Sequence, residues 1–303
     1  MSTRTRSFGS SKRESHDSSG FYNRRLYGAI KETPFKEGDL NIISDQHLNK
    51  VHHRDSRNLE FLPENSLQLM ITSPPYNVGK DYDDDLDQEE YLQLMYDVMK
   101  EVYRILIPGG RACINIANIG RKPYLPLNHL INQIMIELGF FMRGEIIWDK
   151  GASAGASCAW GSWQSASNPV LRDVHEYIMV YSKGSFGRKD RRKGEKTDTI
   201  TRDEFLEYTK SIWTFGAESA KRVRHPAPFP VELPYRLIQL YSYKDDIVID
   251  PFCGSGTTGI AALKTGRGFI GVELDEGYVD VATSRIAAYR NRPLPLWNES
   301  DFL

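Results

Sequence analysis

Apolar residues recur along this chain with two periods, and the alternation between them sets out a fold. Asn49 to His53 and Leu67 to Ile71 are short apolar runs of strand length, and the second runs directly into Ser73-Pro74-Pro75-Tyr76. Tyr91, Met95, Val98, Val102 and Ile105 then follow helical spacing; Asp87 is placed to cap that helix with Glu90 three residues on, and Pro108-Gly109-Gly110 is placed to stop it. The pattern continues as a strand at Arg111 to Ile116, a helix near Pro126 to Leu138, and strands at Phe140 to Trp148 and His175 to Tyr181. After Pro230 come a helix at Val231 to Tyr241, a strand at Asp246 to Ile249, a glycine turn, a helix to about Lys264 and a strand at Gly268 to Leu274. Strands alternating with helices predict an α/β fold with a largely parallel sheet.

Two stretches break the pattern. Gly151 to Asn168 is mostly Gly, Ala and Ser around Trp160 and Trp163, the composition of a long functional loop. Residues 1–20 hold seven serines and few large apolar groups, which predicts a disordered tail. The expected organisation is a tail at 1–20, a first half of the α/β domain at 21–148, a substrate-facing insertion at 149–224, the second half at 225–290 and a short tail at 291–303.

Composition narrows the function classes. The chain has 303 residues, 40% of them apolar, and a net charge of −1, so it is not a globally basic nucleic-acid binder. Charge is nonetheless uneven: seven Lys/Arg stand against two acidic residues in Met1 to Lys31, and the same ratio holds in Lys183 to Lys196. Such runs suit a solvated face or, beside a DNA-directed site, phosphate contacts. No apolar run approaches membrane-spanning length and no apolar signal region opens the chain, so a soluble cytoplasmic protein is expected. Cys113, Cys158 and Cys253 lie far apart without Cys-x-x-Cys spacing, and His52 and His53 diverge on any regular element; neither a disulfide framework nor a metal site is expected.

Chemistry concentrates at two places. In Ser73-Pro74-Pro75-Tyr76 the prolines fix φ near −65° and remove two backbone donors, which leaves a stiff corner with a hydroxyl, outward carbonyls and an aromatic face. A planar ring bearing an amino group fits such a corner; a plain polyproline turn or Pro-rich recognition peptide is the simpler alternative. Gly254-Ser255-Gly256-Thr257-Thr258-Gly259 follows an apolar strand and opens a helix, and Glu273 ends the next strand, the context in which glycines admit close backbone approach and an acid accepts from ribose hydroxyls. No Lys follows the second glycine, so a P-loop ATPase is excluded. A dinucleotide and S-adenosylmethionine both fit this loop, but a dinucleotide fingerprint usually opens its domain and here most of the chain precedes it.

Asp250 to Thr257 resembles the cofactor loop of S-adenosylmethionine-dependent DNA amino-methyltransferases, and Ser73 to Tyr76 resembles their catalytic motif. The order, catalytic motif first and cofactor loop last, is similar to the permuted β group of that family. His225-Pro226-Ala227-Pro228-Phe229-Pro230 resembles the segment that cradles the methionine end of the cofactor, Asp55 looks like the acid on the adenine side, and Pro108 to Arg111 resembles a further family turn. The resemblance spans residues 39–290 apart from 149–224. It implies a Rossmann-like methyltransferase sheet in circularly permuted order with an inserted target-recognition region, catalytic residues Ser73, Pro74, Pro75 and Tyr76, and a cofactor held by Asp55, His225, Pro226, Phe229, Asp250, Phe252, Gly254, Gly256, Thr257 and Glu273.

The reaction so implied is site-specific methylation of a flipped base in double-stranded DNA, within a restriction-modification setting. Ser at 73, where adenine-modifying relatives typically carry Asp or Asn, resembles the cytosine-N4 enzymes; adenine-N6 is the alternative. Cytosine-C5 chemistry is excluded because no Pro-Cys pair supplies the thiolate. Arg188, Arg191, Arg192, Lys193, Lys221, Arg222 and Arg224 are the expected DNA contacts, and a homodimer and a separately encoded restriction endonuclease are conceivable partners. Two readings from other classes are a catalytically silent DNA-binding module and a serine hydrolase, the latter from Gly151-Ala152-Ser153-Ala154-Gly155 with Asp173, His175 and His225.

Overall fold

The computed structural model describes residues 24–28, 31–33, 40–76, 86–151, 162–190, 196–217 and 229–291. Met1–Thr33 form a unit of their own, in which Arg25–Tyr27 make a single 3-10 turn. All other elements belong to the second unit, Pro34–Leu303.

That unit is built on one eight-stranded sheet. Its strands are β1 (Lys50–His53), β2 (Leu67–Thr72), β3 (Leu106–Ile116), β6 (Phe140–Asp149), β7 (His175–Lys183), β8 (Ile212–Thr214), β9 (Ile247–Asp250) and β10 (Gly268–Glu273), in the order β1-β10-β9-β2-β3-β7-β6-β8. β4 (Ile119–Gly120) and β5 (Tyr124–Leu125) form a separate small hairpin. The late strands β9 and β10 lie between the early strands β1 and β2, so the two ends of the domain interleave. β1, β10, β9, β2 and β3 pair in parallel, while β7 runs antiparallel to both β3 and β6. The carboxyl ends of β1, β10, β9, β2, β3 and β6 and the start of β7 therefore share one edge, where open α/β sheets place their ligands.

Helices cover both faces. On one lie α1 (Gln88–Ile105) and α2 (Leu127–Glu137). Asp87 and Glu90 close a reciprocal capping box on α1, of the kind whose cap contributes about 1 kcal/mol, and Tyr91, Met95, Val98, Met99, Val102 and Ile105 form its buried stripe. The other face is covered by α4 (Glu232–Tyr241), α5 (Thr257–Lys264) and α6 (Glu276–Arg290), with the short α3 (Arg202–Tyr208) beside them. Arg236 lies over the rings of Tyr208, Trp213 and Phe215, with its guanidinium 4.7, 5.4 and 4.8 Å from their centres. This stack ties the short outer strand β8 to α4.

Two expectations need correction. Pro108-Gly109-Gly110 does not form a turn before the strand, because β3 already begins at Leu106 and runs through them. The register against β2 moves from Leu67↔Leu106 to Leu69↔Arg111, so the extra residues bulge out of the ladder, where a proline is tolerated. Gly109 needs its φ of +79°, and a Cβ there would overlap the Gly187 carbonyl. Nor is 149–224 an insertion apart from the sheet: β7 pairs with β3 along six residues, and β8 pairs in parallel alongside β6.

The segment after β7 overturns the assignment of Arg188 as a DNA contact. Its side chain is 7% exposed and forms ion pairs with Asp190 (2.6 Å) and Asp246 (2.5 Å), the latter fully buried. Desolvation works against its charge, yet the two carboxylates outweigh it and hold the guanidinium's affinity for its proton above the usual arginine range. Arg188 ties its loop to the start of β9. Arg191, Arg192, Lys193, Lys221, Arg222 and Arg224 lie outside the described residues.

Candidate active site

A cavity of about 890 Å³ opens at the shared strand edge and is lined both by the Pro-Pro corner and by the glycine loop. Its walls come from four strand ends: Arg54 to Arg57 after β1, Ser73 to Tyr76 after β2, Pro251 to Ser255 after β9, and Glu273 to Asp275 at the end of β10. Leu94 and Val98 of α1 and Tyr278 of α6 also face it.

The loop after β9 is held by its own side chains. Asp250 is 1% exposed; it accepts hydrogen bonds from Thr72 Oγ1 (2.7 Å), Thr258 Oγ1 (2.6 Å) and the Phe252 amide (3.1 Å). Burial pushes its carboxyl up to about 7 in spite of these donors. Asp250 was expected to hold the cofactor, but it faces inward and is not part of the cavity wall. It joins the end of β2 to the start of α5. Gly256 likewise serves packing: it is left-handed at φ +79°, and a Cβ would stand 3.0 Å from that of Ala282 in α6.

Glu273 closes the loop from the other side. Its Oε2 accepts from the Gly254 amide (2.7 Å), and its Oε1 accepts from the amides of Leu274 (2.9 Å) and Asp275 (3.0 Å). Burial raises its carboxyl and the three amides oppose that rise. One lone pair on Oε2 is left by these bonds, enough to accept from a ligand hydroxyl. Across the cavity Asp55 is bound through both carboxylate oxygens by Arg57, which lowers its pKa. Phe229, Phe252 and Thr257 are on the wall as expected, whereas His225 and Pro226 lie outside the described residues.

The Pro-Pro corner sits on a polar network that the linear sequence did not reveal. Ser73 Oγ lies 3.2 Å from Tyr76 Oη, and Tyr76 Oη donates to Glu176 Oε2 at 3.1 Å. Asn115 Nδ2 donates to the same oxygen at 2.6 Å, and Lys150 Nζ donates to Glu176 Oε1 at 2.9 Å. The Tyr76 hydroxyl is held well above its usual pKa, first by burial and then by the Glu176 charge. Asn115 and Glu176 are the polar residues near the ends of two apolar strands, the one signal that pointed to them.

Residues elsewhere are placed as follows. Asp173 pairs with Arg121, and Ser153 and His225 lie outside the described residues, so no hydrolase triad is assembled among those described. Trp163 is 70% exposed, and Trp160 lies outside the described residues. Cys113 and Cys253 are buried, and burial raises both thiols, the first to about 12. Among the described residues no helix is long and apolar enough to cross a membrane, and no cluster of His, Cys, Asp and Glu could hold a metal ion.

The walls fit S-adenosyl-L-methionine. Backbone at 252–255 offers close approach, Glu273 keeps an acceptor for a ribose hydroxyl, and Phe252 and Leu274 supply apolar surface for an adenine ring. Comparison with known proteins agrees with this chemistry. A putative DNA modification methylase from Thermus thermophilus superposes with a TM-score of 0.66 at 32% identity, over 79% of this chain and 95% of that one; its complex with S-adenosyl-L-methionine gives 0.65 at 31%, over 80% and 96%. The PvuII cytosine-N4-specific DNA methyltransferase shares the fold, with a TM-score of 0.61 at 22% identity over 82% of this chain and 88% of that one. The type II methyltransferase M.MthZI of Methanothermobacter thermautotrophicus is 31% identical over 82% of this chain and 78% of its own length. A DNA methylase family model for N6 and N4 enzymes matches residues 67–284, which takes in the Pro-Pro corner, the glycine loop and every strand from β2 to β10. The chain belongs to that family of DNA methylases.

Proposed function

We propose that the protein transfers the methyl group of S-adenosyl-L-methionine to the exocyclic N4 amine of a cytosine turned out of double-stranded DNA. The observation that carries this reading is that Ser73 and Tyr76 line the same cavity as the glycine loop and Glu273, which supports a base pocket and a methyl-donor pocket sharing one space. The amine is a weak nucleophile because its lone pair is delocalised into the ring. Hydrogen bonds from its N–H groups to Ser73 Oγ and to the Pro74 carbonyl hold it and favour the pyramidal geometry that aims the lone pair at the methyl group, so catalysis is mainly positioning and electrostatics. Turning the base out costs on the order of a few kcal/mol, and stacking on Tyr76 offsets about 1–3 kcal/mol of it.

Ser73 is what favours cytosine over adenine. The deciding experiment is nucleoside analysis of mixed-sequence DNA after incubation with labelled cofactor. N4-methylcytosine is the expected product; N6-methyladenine would move the assignment to the alternative substrate, and no labelled nucleoside at all would return the chain to a silent DNA-binding module. The type II methyltransferase relatives support a place in a restriction-modification system with a separate endonuclease, for which a dimeric state remains part of the proposal.

DNA contact is assigned to Arg191, Arg192 and Lys193 with Lys221, Arg222 and Arg224. Neutralising the first three together is expected to reduce the slope of log K against log salt by about 2 to 3, since each phosphate contact contributes about 0.9. Arg188→Gln should leave that slope unchanged because its charge is already held by Asp190 and Asp246. Binding titrations at several salt concentrations check both, and an unaltered slope in the triple variant would show those charges to be merely solvated.

A further inference from the structure

We infer that Glu176 is the terminal acceptor of a hydroxyl relay, Ser73 to Tyr76 to Glu176, which fixes the direction of the Ser73 hydroxyl and removes the proton that the methylated amine must shed. The inference rests on the amine-methylation reading above and deepens it.

A serine hydroxyl is ambiguous as an amine-binding group, because rotation presents either its proton or its lone pairs. The network removes the ambiguity. An ionised carboxylate only accepts, so the 3.1 Å contact obliges Tyr76 Oη to donate to Glu176 Oε2. Its own proton thus committed, Tyr76 Oη accepts across the 3.2 Å contact from Ser73 Oγ. Asn115 Nδ2 also approaches Tyr76 Oη and Ser73 Oγ, at 3.4 and 3.5 Å, and as a donor it leaves the direction of both hydroxyls unchanged. Ser73 Oγ, with two lone pairs and at most one taken by that long contact, keeps one for an N–H group in the cavity. Asn115 Nδ2, at 2.6 Å from the same carboxylate oxygen, must present its amino group there, and this holds Glu176 at the end of the chain. Lys150 Nζ, 2.9 Å from Oε1, is the ion-pair partner of the carboxylate on which the direction depends.

The same three groups balance the reaction. The amine nitrogen uses its lone pair for the new bond to the methyl carbon, the carbon–sulfur pair remains on sulfur, and nitrogen is left with a positive charge and one proton too many. That proton passes to Ser73 Oγ while the serine proton moves to Tyr76 Oη and the tyrosine proton to Glu176 Oε2. Both hydroxyls are regenerated and Glu176 ends neutral. The Glu176 and Lys150 side chains are 13% and 22% exposed, so the carboxylate that ends the chain keeps some contact with solvent. The titratable groups that face Glu176 are Tyr76 from the corner and Lys150 from the end of β6; Asp149 and His175 are neighbours across the β6–β7 pair.

The test compares the full-length wild type with Glu176→Gln and with Glu176→Gln/Lys150→Met, the second avoiding an amide placed against an ammonium. In each, the pH profile of single-turnover methylation is measured beside cofactor affinity, DNA affinity and Tm. Expected are a wild-type rate that falls on acidification as one group protonates, loss of that acid limb in both variants, and a rate lowered about 100-fold, within the range for a positioned proton acceptor. Cofactor and DNA affinities should stay within about twofold, since neither is held by Glu176. An acid limb that survives in both variants, or a rate loss matched by losses of Tm and cofactor affinity, would overturn the relay and leave Glu176 as a packing group. A wild type that methylates no base would instead sink the underlying reaction.

Discussion

Ser73→Ala is expected to lower kcat for methyl transfer by about 100-fold or more while cofactor affinity changes less than twofold, the size seen when one preorganised hydrogen-bond partner of a reacting group is removed. Ser73 stands at the end of β2, only partly buried, and its hydroxyl touches Tyr76 rather than any residue of the glycine loop. Removing it leaves the methyl-donor wall intact: Glu273 still holds Gly254, and Asp250 still holds Thr258. The transition state alone suffers, because the amine loses an acceptor that draws its lone pair out of conjugation. Rapid-quench kinetics with saturating cofactor, paired with equilibrium cofactor binding, separate the two effects. Parallel losses in both would show that Ser73 supports the cavity as a whole and does not act on the amine.

Where the chain was legible, it was legible because hydrophobic period and turn chemistry agreed. The unit from Ile247 through the glycine loop to Glu273 has boundaries within one residue of expectation, since an apolar strand, three glycines and a small-residue helix leave few alternatives. α1 was as clear, with its capping box and its buried stripe at helical spacing. The reading failed where tertiary contact overrode local preference. Pro108-Gly109-Gly110 signals a turn, yet the backbone of Gly187 packing onto Gly109 keeps the segment inside β3. β8 has three residues and one buried side chain, Trp213, too short a pattern to distinguish from a loop.

At the site the same division holds. The corner and the glycine loop are contiguous motifs and were found. Asn115, Lys150 and Glu176 come from three strand ends, and Glu176 lies 100 positions from the tyrosine it binds, so nothing in the linear order joins them. Two residues were assigned by type and not by environment: Arg188 is a cation in a basic run, and Asp250 an acid in a cofactor motif. Each turned out to face the interior, where its polar atoms meet protein partners. Short sequence patterns report which residues are near a ligand but not which way each side chain points.

Asp250 supplies the second large expected effect. Its carboxyl is pushed up to about 7 by burial, against a value of about 3.9 for an unfolded aspartate. Because the folded value is the higher one, the native state binds more protons between these limits. The stability that Asp250 contributes is therefore fully present below about pH 4 and is lost as pH rises through about 7. At about 1.4 kcal/mol per unit the loss is on the order of 4 kcal/mol. Asp250→Asn cannot ionise and retains the bonds: its oxygen accepts from Thr72 and the Phe252 amide, and its amino group donates to a reoriented Thr258 hydroxyl. The difference in unfolding free energy, Asn variant minus wild type, should rise from pH 4 to pH 7 and level off above it, with all other titrating groups cancelling between the two proteins. Asp250→Ala should instead be destabilised by about 3 kcal/mol or more even at pH 4, since three buried donors lose their acceptor. Urea unfolding across this range checks both, and a flat difference for the Asn variant would mean that Asp250 keeps its charge throughout, stabilised by Thr72, Thr258 and the Phe252 amide beyond what burial takes away.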